Sequence, residues 1–259
     1  MIRTAFAVLV LLVMTALMGS LVIVAALLGV RDRDGSVYDL APRWWAKAVV
    51  WASGVRVVVH GEEHAHAAGG VFVVNHVSLF DVLVVASVVR RAKFVAKAEL
   101  SNIPLFSRAM RSAGMVFIER DNRKAAFDSY RSVAGRMGEG SSVVVYAEGT
   151  RGHSYALRPF KKGPFVLAVS ASAPIVPMLV HGAAEVMPKG AFRIRGGRVD
   201  IHFLPPIPTA GLTYEDRDRL AVETRDAIAA LLEREYGVTS PPWDPRRPGS
   251  LPDPSGGRV

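Results

Sequence analysis

The sequence predicts an α/β protein with a single mixed sheet flanked by helices, preceded by an N-terminal membrane-anchoring helical segment. Three observations predict it. Short β-branched runs recur from Val55 onward, with helical patterns between them. The chain has 259 residues, room for one sizeable α/β unit plus appendages. The stretch from Phe6 to Val30 carries no charged residue, and as a helix of roughly 25 residues it would run about 37 Å, enough to cross a hydrocarbon core.

The elements follow in order. Arg3 flanks one side of the apolar stretch, and Arg31, Arg33, Arg43 and Lys47 lie beyond the other, tempered by Asp32 and Asp34. The more basic side stays in the cytoplasm by the positive-inside tendency, which places the following domain at the cytoplasmic face of the cell membrane. The sequence leaves open whether this helix spans the bilayer or dips into one leaflet. Pro42 to Ser53 places Trp44, Trp45 and Trp51 beside Lys47, a composition suited either to the headgroup region or to packing on a core. Strands are expected at Val55–His60, Val71–Val74, Lys93–Ala96, Met115–Ile118, Val143–Tyr146, Ile175–Val180 and Val199–Leu204. Helices are expected at Leu79–Val89, near Leu105–Arg111, and at Lys124–Met137, Phe165–Ala171 and Tyr214–Tyr236. Strands alternating with helices argue for one sheet covered on both faces. The expected organisation is residues 1–54 as anchoring helices, 55–238 as the α/β domain and 239–259 as a disordered Pro/Gly-rich tail.

Composition narrows the chemistry. There is no cysteine, which excludes disulfides, thiol nucleophiles and Cys-ligated zinc. The formal charge of +9 suits an anionic lipid surface or a phosphorylated substrate. No recognised nucleic-acid-binding motif accompanies it, so no nucleic-acid partner is expected. No metal site is expected either: His60, His64 and His66 lie close together, but in an Ala-rich stretch.

The residues that carry chemistry sit at predicted strand ends. Val71–Val74 leads into Asn75-His76-Val77-Ser78-Leu79-Phe80-Asp81. On one straight helix, residues five apart would point about 140° from each other, so His76 and Asp81 meet only if the chain turns between them. A strand end followed by a helix start supplies that turn, with Ser78 as N-cap. Asp81 would then accept from His76 Nδ1 and leave Nε2 as a base. Val143–Tyr146 empties into Glu148-Gly149-Thr150-Arg151, where Gly149 permits a tight turn and Arg151 offers a planar fork suited to phosphate oxygens. Lys97 and Arg120 each follow a further strand. Read alone, each is equally a charge that finishes a buried strand. In an open α/β sheet, however, the carboxyl ends of parallel strands share the edge where ligands sit, so His76, Lys97, Arg120 and Arg151 can face one crevice. A base beside a phosphate-suited arginine points to acyl transfer to a phosphorylated alcohol.

Taken together, these blocks resemble the glycerophospholipid acyltransferases, most closely the bacterial 1-acyl-glycerol-3-phosphate acyltransferases. Asn75-His76 through Asp81 is similar to that family's His-x4-Asp block, and Gly114 through Arg120 to its second block. Tyr146 through Arg151 is similar to its Glu-Gly-Thr-Arg block, and Ile175-Val176-Pro177-Met178 to its apolar-proline block. The resemblance runs from about Trp44 to Leu204. The chain departs from the pattern at Tyr146-Ala147 (Phe-Pro in the family), Glu119 (often aspartate) and Gly152 (often serine).

The resemblance implies that His76 deprotonates the free hydroxyl of a lysophospholipid acceptor and that Asp81 supports it. The acyl group would come from acyl-CoA or acyl carrier protein, with no cofactor. Lys97, Arg120, Glu148, Gly149, Thr150 and Arg151 would bind the acceptor phosphate or shape the loop that does. Phe80, Leu105 and Phe106 either line an acyl entry or belong to the core. The acceptor head group stays open, among lysophosphatidic acid, another lysophospholipid and a glycolipid. A hydrolase and a catalytically silent membrane-binding scaffold on the same fold are further readings.

Overall fold

The computed structural model describes residues 1–65, 69–118, 137 and 140–246. Two helices come first, α1 (Ile2–Leu27) and α2 (Val37–Ala52). They form an antiparallel hairpin: Trp45 Nε1 donates to Thr15 Oγ1 at 2.9 Å, Phe6 meets Trp51 edge-on, and Tyr38 packs with Val22 and Ala25. The second helix begins earlier than the Pro42 expected from sequence. Its first turn is held by tertiary contacts, because the buried Asp39 carboxylate accepts from the Gly35 and Arg91 amides (3.2 and 2.9 Å). That anchorage offsets the amide that Pro42 lacks inside the helix.

The sheet strands are β1 (Val55–His60), β2 (Val71–Val74), β3 (Ala92–Lys97), β4 (Val116–Ile118), β5 (Ser142–Tyr146), β6 (Ile175–His181) and β7 (Gly197–Phe203). The helices between and after them are α3 (Phe80–Val88), α4 (Pro104–Ser112), α5 (Gly163–Ser170), the short α6 (Ala183–Val186) and α7 (Arg217–Tyr236). The expected helix over residues 124–136 and the candidate Arg120 lie outside the described residues.

Strand order is β1-β7-β6-β2-β5-β3-β4. From β6 through β4 the strands run parallel, β7 is antiparallel to β6, and β1 is parallel to β7. The sheet is therefore mixed, as the sequence predicted. Alternation divides the core. Val71, Val73, Val143, Val145, Ile175 and Leu179 face α5 and α7, while Phe72, Val74, Val144, Val176, Met178 and Val180 face α2 and α3. Burying a side chain such as Phe72 contributes roughly 1.5–3 kcal/mol, which is why the apolar tetrapeptide Val71–Val74 marks the centre of the sheet.

Of the stretch expected to be disordered, residues 239–246 are ordered, and 247–259 lie outside the described residues. Arg225, on α7 and 1% exposed, donates to the carbonyls of Leu157 (2.8 Å), Arg158 (3.2 Å) and Pro241 (2.7 Å). Ser240 accepts from the Leu157 amide, and Trp243 packs on the core. Pro/Gly composition describes what a segment lacks for a core of its own. It does not register a buried arginine elsewhere whose donors need those carbonyls.

Candidate active site

Parallel register brings the two motif loops side by side. Val74 pairs with Tyr146, so His76 and Glu148, each two residues further on, stand just past the ends of adjacent strands. His76 Nδ1 lies 2.9 Å from Asp81 Oδ2. The same carboxylate oxygen accepts the amides of Val77 and Ser78, both at 2.8 Å. The turn between strand and helix is thus wound around the Asp81 carboxylate, which is fully buried. Since Oδ2 accepts from these amides, the Nδ1 edge of the imidazole is the donor in the pair, and Nε2 keeps its lone pair for another partner. Among the described residues Nε2 has no hydrogen-bond partner, and the side chain keeps 11% of its exposure. Ser78 caps the start of α3, as its position before the helix predicted. Its hydroxyl accepts the Phe80 amide and donates to the Met187 carbonyl at 2.6 Å, tying the turn to the segment after α6.

The other supports of His76 come from neighbouring strands. Asn75, fully buried, exchanges two hydrogen bonds with the Val180 backbone of β6 (3.0 and 2.8 Å). The Tyr146 ring stacks on the imidazole at 4.2 Å. Its hydroxyl is buried and, among the described residues, unpartnered, and burial pushes its pKa well up. Gly152 N donates to the His76 carbonyl at 2.7 Å.

Of the two roles expected of Glu148, contact with the acceptor phosphate or shaping of the loop, its geometry suits the second. It is 4% exposed, and its two oxygens accept the His76 amide (2.8 Å) and the Arg158 amide (3.2 Å). Burial pushes its carboxyl up to about 7, against the pull of those two amides. A carboxylate beside a phosphate would repel it, so an inward position that braces the His76 backbone is the physically consistent one. Gly149 turns the loop at φ +76°, where a side chain would be strained. Thr150 is exposed and Arg151 half-buried. Among the described residues the Arg151 guanidinium has no hydrogen-bond or ion-pair partner, whereas its carbonyl accepts from Lys189 Nζ at 2.8 Å. Lys97 lies one strand further along the same edge, exposed and ion-paired with Glu99.

Of the candidate entry residues, Phe80 is fully buried in the core, Phe106 packs against Trp45, and Leu105 lines a cleft of about 470 Å³ between α1 and α4. Sequence reasoning missed the bracing role of Glu148 and the contributions of Asn75, Tyr146 and Lys189, because all four act through backbone or ring contacts that pattern does not encode.

A second cluster, His60, Asp200 and His202, gathers on β1 and β7 with ligand atoms within 4.8 Å of one another. Its geometry suits an ion poorly. The two imidazoles stack nearly parallel (4.2 Å, 9°), so their lone pairs run side by side rather than converging, and Arg198 holds both Asp200 oxygens at 2.8 and 2.6 Å. His202 is pushed down to about 4 by burial and by His60 beside it.

Fold and edge together define a class: an α/β protein with a histidine–carboxylate pair and an arginine loop at the carboxyl edge of parallel strands, under an amphiphilic helical hairpin. The acyltransferase family model matches residues 56–181, a span that holds both motif loops. The chain belongs to the acyltransferase family. Over 181 residues it is 35% identical to the human 1-acyl-sn-glycerol-3-phosphate acyltransferase alpha (69% of this chain, 64% of that protein). Over 172 residues it is 33% identical to the 1-acyl-sn-glycerol-3-phosphate acyltransferase of Limnanthes douglasii (66% of this chain, 61% of that protein). The match thus spans a little under two thirds of the length of these relatives. The crystal structure of the 1-acyl-sn-glycerophosphate (LPA) acyltransferase PlsC from Thermotoga maritima has the same fold, with a TM-score of 0.76 at 24% identity over 93% of this chain and 97% of that one.

Proposed function

We propose that this chain is a membrane-associated acyltransferase. It moves a fatty acyl group from acyl-CoA or acyl carrier protein to the free hydroxyl of 1-acyl-glycerol-3-phosphate, giving phosphatidic acid. The observation that carries the reading is the His76–Asp81 pair at 2.9 Å, with Nε2 and the Arg151 guanidinium on the adjacent loop both without a hydrogen-bond partner among the described residues. The relatives named for this acceptor support the choice of substrate.

In this reading His76 Nε2 takes the hydroxyl proton as the oxygen attacks the thioester carbonyl. The resulting imidazolium, held by Asp81, returns the proton to the leaving thiolate. Arg151 receives the acceptor phosphate in a charge-assisted contact, and Lys97 and Arg120 are the further candidates for that phosphate. The chemistry needs no covalent acyl-enzyme and no cofactor.

Membrane association is supported by α1, a helix of 26 residues whose most apolar 18-residue window has a mean hydropathy of 2.8 and whose outward face carries Leu9, Leu12, Val13, Leu17 and Leu21 exposed. Both ends of this helix are tied to the α/β domain. Thr4 Oγ1 accepts the Ile194 amide at 3.1 Å, and the loop after the helix is held by the Asp32–Lys93 (2.6 Å) and Asp34–Arg90 (2.8 Å) pairs. That arrangement favours a helix lying along one leaflet over one that crosses the bilayer, with the domain at the cytoplasmic face of the cell membrane.

Purified enzyme, labelled acyl donor and a panel of lysolipids test the proposal. His76→Ala lowers transfer by about 10²–10⁴-fold, and Arg151→Ala raises the KM for the phosphorylated acceptor more than it lowers kcat. Near-normal turnover in His76→Ala would refute the base assignment. Preference for a glycolipid acceptor, or release of free fatty acid instead of a two-chain lipid, would refute the substrate.

A further inference from the structure

The segment between α6 and β7, Pro188 to Gly196, presents one side chain that the fold does not use. Phe192 is 92% exposed. Its neighbours Arg193 and Arg195 are also exposed, and among the described residues neither has an ion-pair partner. The segment is braced at its base. Ala191 N donates to the Pro188 carbonyl, Arg195 N to the Val186 carbonyl at 2.9 Å, and Ile194 packs on the core. A large apolar ring held in water by a fixed loop, with two exposed cations just after it, has the composition of an interfacial insertion element.

Its position is equally informative. Ile194 N donates to Thr4 Oγ1 of α1, and the Arg3 side chain lies against Gly54 and Gly196, so the loop adjoins the start of the apolar helix and the end of α2 that carries the exposed Trp51. At its other end the segment meets both motif loops, through Ser78 Oγ to the Met187 carbonyl and Lys189 Nζ to the Arg151 carbonyl. One short connection therefore bridges the N-terminal hairpin and the catalytic edge.

We propose that Pro188–Gly196 is a second membrane-docking element. Phe192 inserts at the headgroup–acyl boundary of an anionic bilayer, and Arg193 and Arg195 contact its phosphates. The occupant is a bilayer because the loop adjoins the start of the apolar helix α1 and its charge is purely cationic at the tip. Docked in this way, the loop holds the His76 and Arg151 loops at the depth of lipid headgroups. The inference rests on the membrane reading of α1 and extends it to the site.

The absence of cysteine makes the test clean. An environment-sensitive dye is placed on Phe192→Cys in the full chain, and, as a control, on Asp226→Cys on α7, whose side chain is 64% exposed. Each protein is bound to vesicles of phosphatidylcholine with phosphatidylglycerol. The Phe192 dye shifts to the blue, loses quenching by aqueous iodide several-fold and gains quenching by lipid-borne nitroxides, while the Asp226 dye does none of these. Replacing phosphatidylglycerol with phosphatidylcholine weakens the shift, and Arg193→Gln with Arg195→Gln removes that dependence. Protein that co-sediments with vesicles while the Phe192 dye stays fully open to iodide overturns the docking loop alone. Protein that does not co-sediment overturns the membrane reading along with it. A shift that ignores phosphatidylglycerol overturns the part given to the arginines.

Discussion

At the scale of single residues, the site is organised by two carboxylates in different environments. Asp81 is fully buried with one oxygen receiving His76 Nδ1 and two amides, so a single side chain both winds the turn and orients the ring. Glu148 sits across the strand boundary and holds the His76 backbone instead. Burial lifts its carboxyl to about 7 from the ordinary 4.5. A carboxyl whose folded pKa lies above its unfolded value takes up a proton on folding. Its contribution is therefore present in full below about pH 4.5 and is lost as pH rises through 7. Glu148→Gln cannot ionise, so the melting-temperature difference between the two proteins moves in favour of the variant across that window. A difference that stays flat with pH, measured by thermal denaturation in matched buffers, refutes the assignment. The His76/Asp81 pair could be read from sequence because five residues and a strand-to-helix turn suffice to bring the two together. The inward course of Glu148 could not, because it depends on the register of β2 with β5.

At the scale of elements, the strands were legible and the connections less so. Apolar tetrapeptides such as Val71–Val74 identify buried strands because parallel central strands are covered on both faces. Helix ends shifted wherever a tertiary contact overrode local preference, as Asp39 does for α2. Residues 239–246 are the largest departure, and Arg225 is its cause: one buried guanidinium, its pKa lowered by burial, gathers carbonyls from two separate loops. Arg225→Ala leaves those carbonyls unpartnered and opens a cavity beneath Trp243. Because hydrogen bonds to a charged group contribute about 1.5–3 kcal/mol each, the expected cost is about 3 kcal/mol or more. Differential scanning calorimetry then gives a Tm lower by several degrees, with earlier proteolysis after residue 237. An unchanged Tm contradicts the role given to Arg225.

At the scale of the whole molecule, the proposed membrane reading asks how the apolar helix α1 and the polar His76 edge would share one bilayer surface. Under the proposed membrane reading, with both ends of α1 fastened to the domain, the N-terminus and the α1–α2 loop would stay on the same side of the bilayer. A dye on the N-terminus of protein bound to sealed vesicles is therefore reduced by an impermeant reagent added outside, as completely as a dye on Gly35→Cys. Protection of the N-terminal dye alone means that α1 crosses. The sequence by itself determined the alternation of strands and helices, the apolar N-terminal helix, the His76/Asp81 pair and the arginine-bearing loop. Each of these is local, written in spacing and in the chemistry of neighbouring residues. Tertiary structure alone decided the strand order, and with it which loops adjoin. It turned Glu148 inward as a brace, laid α1 along the domain, drew residues 239–246 onto the core and set the Phe192 loop beside the start of α1. All of these depend on pairings between residues distant in sequence, whose energies come from shared burial and from donors and acceptors that find partners only once the sheet has formed.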